Sequence, residues 1–314
     1  MKRLLFLGTP SVAAQALQIL WDRCSSGYEI VGVVCQPQAR SSRRGGETPC
    51  PVHALALEKG LKVWTPEKAR DESFLTEMRE LAPDICITAA YGNVLPEAFL
   101  AIPKFGTLNI HPSLLPLYRG AAPVQRCVED GCADTGVTIL FTVRAMDAGL
   151  ILLQEKTQLP PHETAPDLLV RLFQLGANRL VDILPHVFAG TVTTMEQDST
   201  RVTHAKKIDA AEGVLDFSSD ALVLHNKVRA FAGWPGTRAC FISTGDKQEY
   251  KILKTRVGTA LNAGKVEFAN GVLRVGCGNN MALEILEIQA PGKKPMQSRD
   301  FWNGLKEKSL SLPV

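Results

Sequence analysis

A chain of 314 residues with 45% hydrophobic and 21% charged side chains is long enough for about two globular domains, and its composition excludes a disordered or membrane-spanning polymer. The net charge of +3 hides an asymmetry: residues 1–205 carry 19 Lys and Arg against 21 Asp and Glu, a net −2, whereas residues 206–314 carry 16 against 11, a net +5. That pattern fits a polyanion-facing C-terminal part on a slightly acidic body, and fits a merely soluble surface equally well.

In chain order, short apolar runs alternate with helical patterns through the first two hundred residues, the signature of a mostly parallel sheet covered by helices. The start, MKRLLFLGTPSVAAQALQIL, sets basic residues before an apolar run as a secretory leader does. Gly8, Thr9 and Pro10 break that run into a strand and a turn, and no clear cleavage site follows, so a cytoplasmic location is expected. Strands are expected at KRLLFLG, EIVGVVC, LKVW, DICITAA, TLNIH, GVTILFTV and ILLQEKTQL, with helices around Val12–Arg23, Val52–Glu58, Glu67–Glu80, Ala122–Glu129 and Pro166–Val187. The Gly8–Pro10 turn offers one glycine where a dinucleotide fingerprint needs three, so it reads as a helix-capping turn rather than a nicotinamide site. After VVCQP, the Arg- and Gly-rich segment QARSSRRGGETPCP cannot bury itself and reads as an exposed loop, residues 36–51.

Near residue 205 the pattern changes. Beyond TVTTMEQDSTRVTHAKKI, one helix, SDALVLHNKVRAF, is followed by RACFIS, EYKILKTRV, KVEFAN, GVLRVGC and ALEILEIQA, punctuated by Gly and Asn. Five short strands at this spacing fit a small β-barrel of the oligonucleotide-binding type. The expected organisation is therefore an α/β, Rossmann-like domain over 1–205 and an OB-like barrel domain over 206–314. Eight cysteines, at 24, 35, 50, 86, 127, 132, 240 and 277, form no CxxC pair and no cluster with His, so zinc is not expected. Most read as small buried hydrophobes in a reducing compartment.

The chemistry concentrates between Leu108 and Gly149. Asn109 and His111 are two apart at the end of an expected strand, so both side chains leave one face of the sheet at the carboxyl edge where open α/β sheets bind ligands. Asp147, in the MDAG turn after the next strand, also follows a carboxyl end and could reach the same crevice. An amide, an imidazole and a carboxylate would then converge. Singly, each has a bland reading as a core or turn residue.

NIHPSLLPLYRGAAPVQ, with AYGNVLP before it and MDAG after it, resembles the folate-dependent formyltransferases, whose shared core uses an Asn, a His and an Asp at the positions of Asn109, His111 and Asp147. Within that family, QP and PCPV near the start, GCADTGVTI, VRAFAGWPGT and QAPGKKPMQSRDF look like the methionyl-tRNA formyltransferases, essentially end to end. The resemblance implies transfer of a formyl group from 10-formyltetrahydrofolate, a donor substrate, to the α-amino group of methionine on initiator tRNA, by a monomer without metal or membrane partner. It implies that Ser113, Leu114, Leu115 and Pro116 form a folate-binding loop, with Tyr91 and Gly92 as pocket wall. It implies also that loop 36–51 meets the tRNA acceptor stem through Arg40, Arg43 and Arg44, although Gly46 and Glu47 stand where the family often has two lysines. Lys206 and Lys207 at the domain junction, and Lys293 and Lys294 near the end, are further phosphate candidates; Arg229, Phe231 and Trp234 are expected to dock a helix onto the barrel.

These roles agree with the chemistry of acyl transfer to an amine, which needs a donor for a developing oxyanion and a base for the amine proton. Asn109 and protonated His111 suit the first task, neutral His111 the second, and Asp147 would orient the imidazole. An aminoacyl amine, with a pKa of about 8 or lower, needs no nucleophilic side chain to activate it. Other acceptors stay open: sugar-amine formyltransferases and formyltetrahydrofolate hydrolases could carry the same core, whereas a glycinamide ribonucleotide formyltransferase should end after the first domain.

Overall fold

The computed structural model describes residues 1–24, 27–37, 48–243 and 245–313. Two compact units divide it: Met1–Pro123, Asp134–Gln158 and Leu169–Ala205 form one, and Val124–Ala133, Leu159–Leu168 and Lys206–Val314 form the other. Two segments ahead of residue 206 thus group with the second unit. Inside it, Arg126 pairs with Glu212, Leu159 N donates to Ala133 O, and Arg229 donates to the carbonyls of Pro160 and Glu163.

The first unit runs β1 (Lys2–Gly8), α1 (Ser11–Asp22), β2 (Tyr28–Val34), α2 (Pro51–Glu58), β3 (Val63–Trp64), α3 (Glu72–Leu81), β4 (Ile85–Ala89), α4 (Glu97–Leu100), β5 (Thr107–His111) and β6 (Arg119–Gly120). After α5 (Pro123–Glu129), which from Val124 belongs to the second unit, come β7 (Asp134–Phe141), β8 (Ile151–Gln158), α6 (Ala165–Ala189, in this unit from Leu169) and β9 (His204–Ala205). The sheet order is β3-β2-β1-β4-β5-β7-β8, parallel as far as β5, with β7 and β8 antiparallel. The period-two alternation of β1 explains its place in the middle: Leu4 and Phe6 enter one buried cluster with Leu17, Val52 and Leu180, while Leu5 and Leu7 enter another with Phe74, Met78 and Phe99. Gly8 is required where β1 turns into α1, since a Cβ there would lie 2.8 Å from both Ala13 Cβ and Ala89 O.

Two local expectations change. α3 starts at Glu72 rather than Glu67, because Asp71 takes the extended N-cap position and its amide closes a turn on Lys68 O. The Gly8–Pro10 turn leads into α1 with Pro10 as N-cap, its carbonyl accepting from Ala13 N and Ala14 N, while Thr9 Oγ1 donates to Tyr91 O and accepts from Gln36 N. Four of the eight cysteines, Cys35, Cys86, Cys127 and Cys277, are buried, and Cys50 receives the amide of His53 as the cap of α2.

In the second unit, α7 (Ala221–Ala230) precedes β10 (Thr237–Ser243), β11 (Asp246–Ala260), β12 (Val266–Ala269), β13 (Val272–Gly276), β14 (Met281–Gln289), β15 (Met296–Gln297) and α8 (Ser298–Gly304). The strands form an antiparallel sheet, β10-β11-β14-β13-β12, with β15 on β14. Register shifts along the fifteen-residue β11 curl it, as bulges do, into a barrel-like half-cylinder. Among the described residues no pairing joins β10 to β12, so the expected OB-like barrel takes a partly open form. Phe241, Tyr250, Ile285 and Phe301 fill its core. Phe231 is buried, but Trp234 is 58% exposed, and Arg229 reaches the 160–163 carbonyls and Asn226 rather than the sheet, so the expected three-residue dock does not form. No helix of the described residues is long and apolar enough to cross a membrane.

Candidate active site

β5 delivers Asn109 and His111 to the carboxyl edge of the parallel strands. Register sets Asn109 beside Thr88 of β4, and Thr88 Oγ1 lies 2.8 Å from Asn109 Oδ1. Thr88 Oγ1 also lies 3.2 Å from Leu108 O; where it donates to Oδ1, the amide oxygen is occupied, and among the described residues no bond to Asn109 Nδ2 is seen, which leaves that group to donate. Asn109 takes its hydrogen bond from Thr88, not from His111 or Asp147.

His111 is buried, 4% exposed, and both ring nitrogens face oxygen. Nε2 lies 3.2 Å from Tyr118 O, and a carbonyl can only accept, so Nε2 carries the proton. Nδ1 lies 3.6 Å from Asp147 Oδ1. Burial lowers the His111 pKa below the ordinary 6.5; the Asp147 carboxylate and the Tyr118 carbonyl pull it back up without overcoming burial. The imidazole is therefore neutral near pH 7, beside a carboxylate that will stabilise a proton once one arrives.

Asp147 reaches His111 by a route that strand ends alone do not suggest. β7 pairs antiparallel with β5, so it starts at the edge where β5 ends and runs back along it. His111 pairs with Thr138 and Leu108 with Phe141, which places the carboxyl end of β7 away from His111. The loop 142–150 returns the carboxylate. Gly149 closes it, since a Cβ there would meet Phe141 O at 1.8 Å. Asp147 sits at φ 52°, with Oδ2 accepting from Gly120 N at 2.8 Å. Gly120 itself needs φ 126° and a bare Cα, for a Cβ would lie 2.7 Å from Ala205 O.

Between His111 and Tyr118 the loop is bonded to its own scaffold. Ser113 Oγ donates to Leu117 O, Thr138 Oγ1 donates to Ser113 O and accepts from Leu115 N, and Gln154 Nε2 donates to Leu115 O. Leu115 is buried with Leu140 and Ile151, Leu115–Pro116 is cis, and Leu114 is partly exposed. Tyr91 is buried; its carbonyl accepts from Thr9 and from Gln36 Nε2, and Gly92 turns at φ 80° against Gln36. Arg40, Arg43 and Arg44 lie outside the described residues, while Lys206, Lys207, Lys293 and Lys294 are exposed. Sequence reasoning missed Thr88, Tyr118, Gly120, Thr138 and Gln197 as parts of the site. LPLYRG held a signal for two of them in its Tyr and Gly, but a carbonyl and an amide as ligands leave no side-chain trace. Among the described residues no group of His, Cys, Asp and Glu is arranged to hold a metal ion.

An amide, a buried imidazole and a carboxylate at the edge of such a sheet are a set chemically able to serve acyl transfer, and the chain belongs to the formyl transferase family. Residues 2–184 match the formyl transferase model and residues 207–306 that of the formyl transferase C-terminal domain. The particular relatives are methionyl-tRNA formyltransferases. The chain is 37% identical to that of Chloroflexus aurantiacus across 99% of each chain, and 36% identical to that of Bacillus licheniformis across 97% of this chain and 95% of the relative. In fold it is similar to the N-formyltransferase from Helicobacter canadensis solved with folinic acid and dTDP-3-aminofucose, at a TM-score of 0.68 and 17% identity, covering 92% of this chain and 100% of that one.

Proposed function

We propose that this chain transfers the formyl group of 10-formyltetrahydrofolate to the α-amino group of methionine carried by initiator tRNA, yielding N-formylmethionyl-tRNA. The likeness to methionyl-tRNA formyltransferases across both units carries the proposal, because the fold alone is shared with an N-formyltransferase seen with an amino sugar nucleotide.

The donor is a substrate that brings the formyl carbon on a nitrogen able to leave. Its ring would lie against the loops after β4 and β7: Arg144 of the second lies 3.5 Å from Glu97 at the start of α4, and Val94 of the first and Met146 of the second are 77% and 66% exposed. Ser113 to Pro116, Tyr91 and Gly92 would wall that side. Asn109 Nδ2 would donate to the formyl oxygen as charge collects there, an interaction stronger in the transition state than before it. The His111–Asp147 pair would take the proton of the attacking amine and return one to the departing nitrogen: burial keeps His111 neutral beforehand, and Asp147 stabilises it afterwards. Lys206 and Lys207, with Arg40, Arg43 and Arg44 of loop 36–51, would hold tRNA phosphates in a cytoplasmic, monomeric enzyme.

The test offers labelled 10-formyltetrahydrofolate with charged initiator tRNA, charged elongator tRNA, free methionine, a dTDP-amino sugar and water as acceptors. Label confined to the initiator is expected. Label appearing only on the amino sugar or as free formate would remove the tRNA assignment and leave the folate chemistry.

A further inference from the structure

Residues 193–201, beyond α6, read as a polar tail, and eight of the nine are exposed; Gln197 is not. Its carboxamide is fully used. Nε2 donates to Asp147 O at 2.7 Å and to Gly149 O at 2.9 Å, while Oε1 accepts from Arg119 Nε at 3.0 Å and Nη2 at 2.6 Å. Carbonyls only accept and a guanidinium only donates, so the orientation of this amide is dictated by its neighbours.

The two carbonyls flank Ala148, so one side chain pins both ends of the turn that presents Asp147. Asp147 there adopts a left-handed backbone at φ 52°, a conformation uncommon for residues other than glycine and one that fixed surroundings hold in place. The same brace reaches the far side of the carboxylate: Arg119 precedes Gly120, whose amide binds Asp147 Oδ2. The tail does not need Gln197 for its own docking. Met195 and Ile151 exchange two backbone bonds, Thr203 O accepts from Arg119 N, and Thr203 Oγ1 accepts from Tyr118 N.

We infer that Gln197 is a positioning residue for the reaction: braced by Arg119, it fixes the turn 147–149 so that the Asp147 carboxylate stands against His111 Nδ1. The inference rests on reading His111 and Asp147 as the reacting pair. It makes the tail after α6 part of the catalytic machinery while touching no substrate.

The experiment compares wild type, Gln197→Met, Asp147→Asn and the double variant in formyl transfer from 10-formyltetrahydrofolate to methionyl-tRNA, and titrates His111 by NMR in the free protein. Gln197→Met, which keeps the length without donating or accepting, is expected to lower kcat about 10- to 100-fold with both KM values within about twofold. It should add less than about twofold on top of Asp147→Asn, since both remove the same carboxylate from His111. The His111 midpoint should move to lower pH, because the carboxylate that raises it has drifted away while burial remains. Unchanged kcat in Gln197→Met, an undiminished loss in the Asp147→Asn background, or an unmoved midpoint overturns the inference. Full activity in Asp147→Asn would remove the reacting pair itself, and the positioning role with it. Gln197→Glu, which keeps Arg119 as partner but offers neither carbonyl a proton, carries the same comparison if Gln197→Met does not fold.

Discussion

His111 in the first unit and His225 in the second are both buried, and burial holds both below the ordinary histidine pKa. What surrounds them differs. His111 has a carboxylate on one nitrogen and a carbonyl on the other, so a proton that arrives is stabilised. His225 has Thr255 Oγ1 at 3.0 Å on Nδ1, a backbone contact at Pro161, Arg229 nearby and the ring of His162 at 6.2 Å. Two cationic or potentially cationic neighbours make a proton there costlier still. Burial therefore does not distinguish the proposed reacting histidine from the other; the sign of the neighbouring charge does.

The comparison breaks most visibly in rate. His111→Ala is expected to lower single-turnover formyl transfer by about 10²- to 10⁴-fold, the range for a lost general acid or base. His225→Ala should leave the rate within about twofold; a loss as large as that of His111→Ala would end the distinction. Asn109→Ala, which removes a proposed oxyanion donor, is expected to cost about 10²- to 10³-fold in kcat with donor binding little changed.

In stability the order reverses. His225→Ala removes a buried hydrogen bond and leaves Thr255 in a void, expected to cost about 1–3 kcal/mol of unfolding free energy in urea. Both folded pKa values lie below the unfolded 6.5, so the unfolded chain binds more protons as pH falls through that value. Stability should thus be level above about pH 6.5 and decline below it, and His225→Ala should flatten part of that decline. A wild-type denaturation midpoint independent of pH between 5.5 and 7.5 would contradict the assignment of both groups. Smallest of all, Lys206→Ala and Lys207→Ala should each weaken tRNA binding in filter assays and reduce its salt slope by about 1, where the lysine meets a phosphate.

Much of the fold was legible because its signals are local. β5 runs from Thr107 to His111 as its alternation implied, and the five C-terminal strands fall on the expected runs. The short pieces were not: β6, β9 and β15 have two residues each and no periodicity to read. Those pieces shape the site, since β6 and β9 bring Gly120 and Ala205 together and so place the amide that receives Asp147. The expected Trp234 contact failed for a related reason: an aromatic residue in a Gly- and Pro-rich turn carries the composition of a core residue, but the turn points it outward.

By itself the sequence determined the alternation that buries β1 on two faces, the glycines at 8, 120 and 149 without which the chain could not close, and the motif that names the family. Tertiary structure alone decided that β7 runs antiparallel, that Asp147 returns to His111 through a loop, and that Gln197 sits beneath that loop. The reason is physical. Periodicity and backbone freedom are properties of neighbouring residues, whereas the direction of a strand and the partners of a carbonyl depend on distant chain segments, such as Arg119 and Gln197, 78 residues apart, which meet only once the sheet has formed.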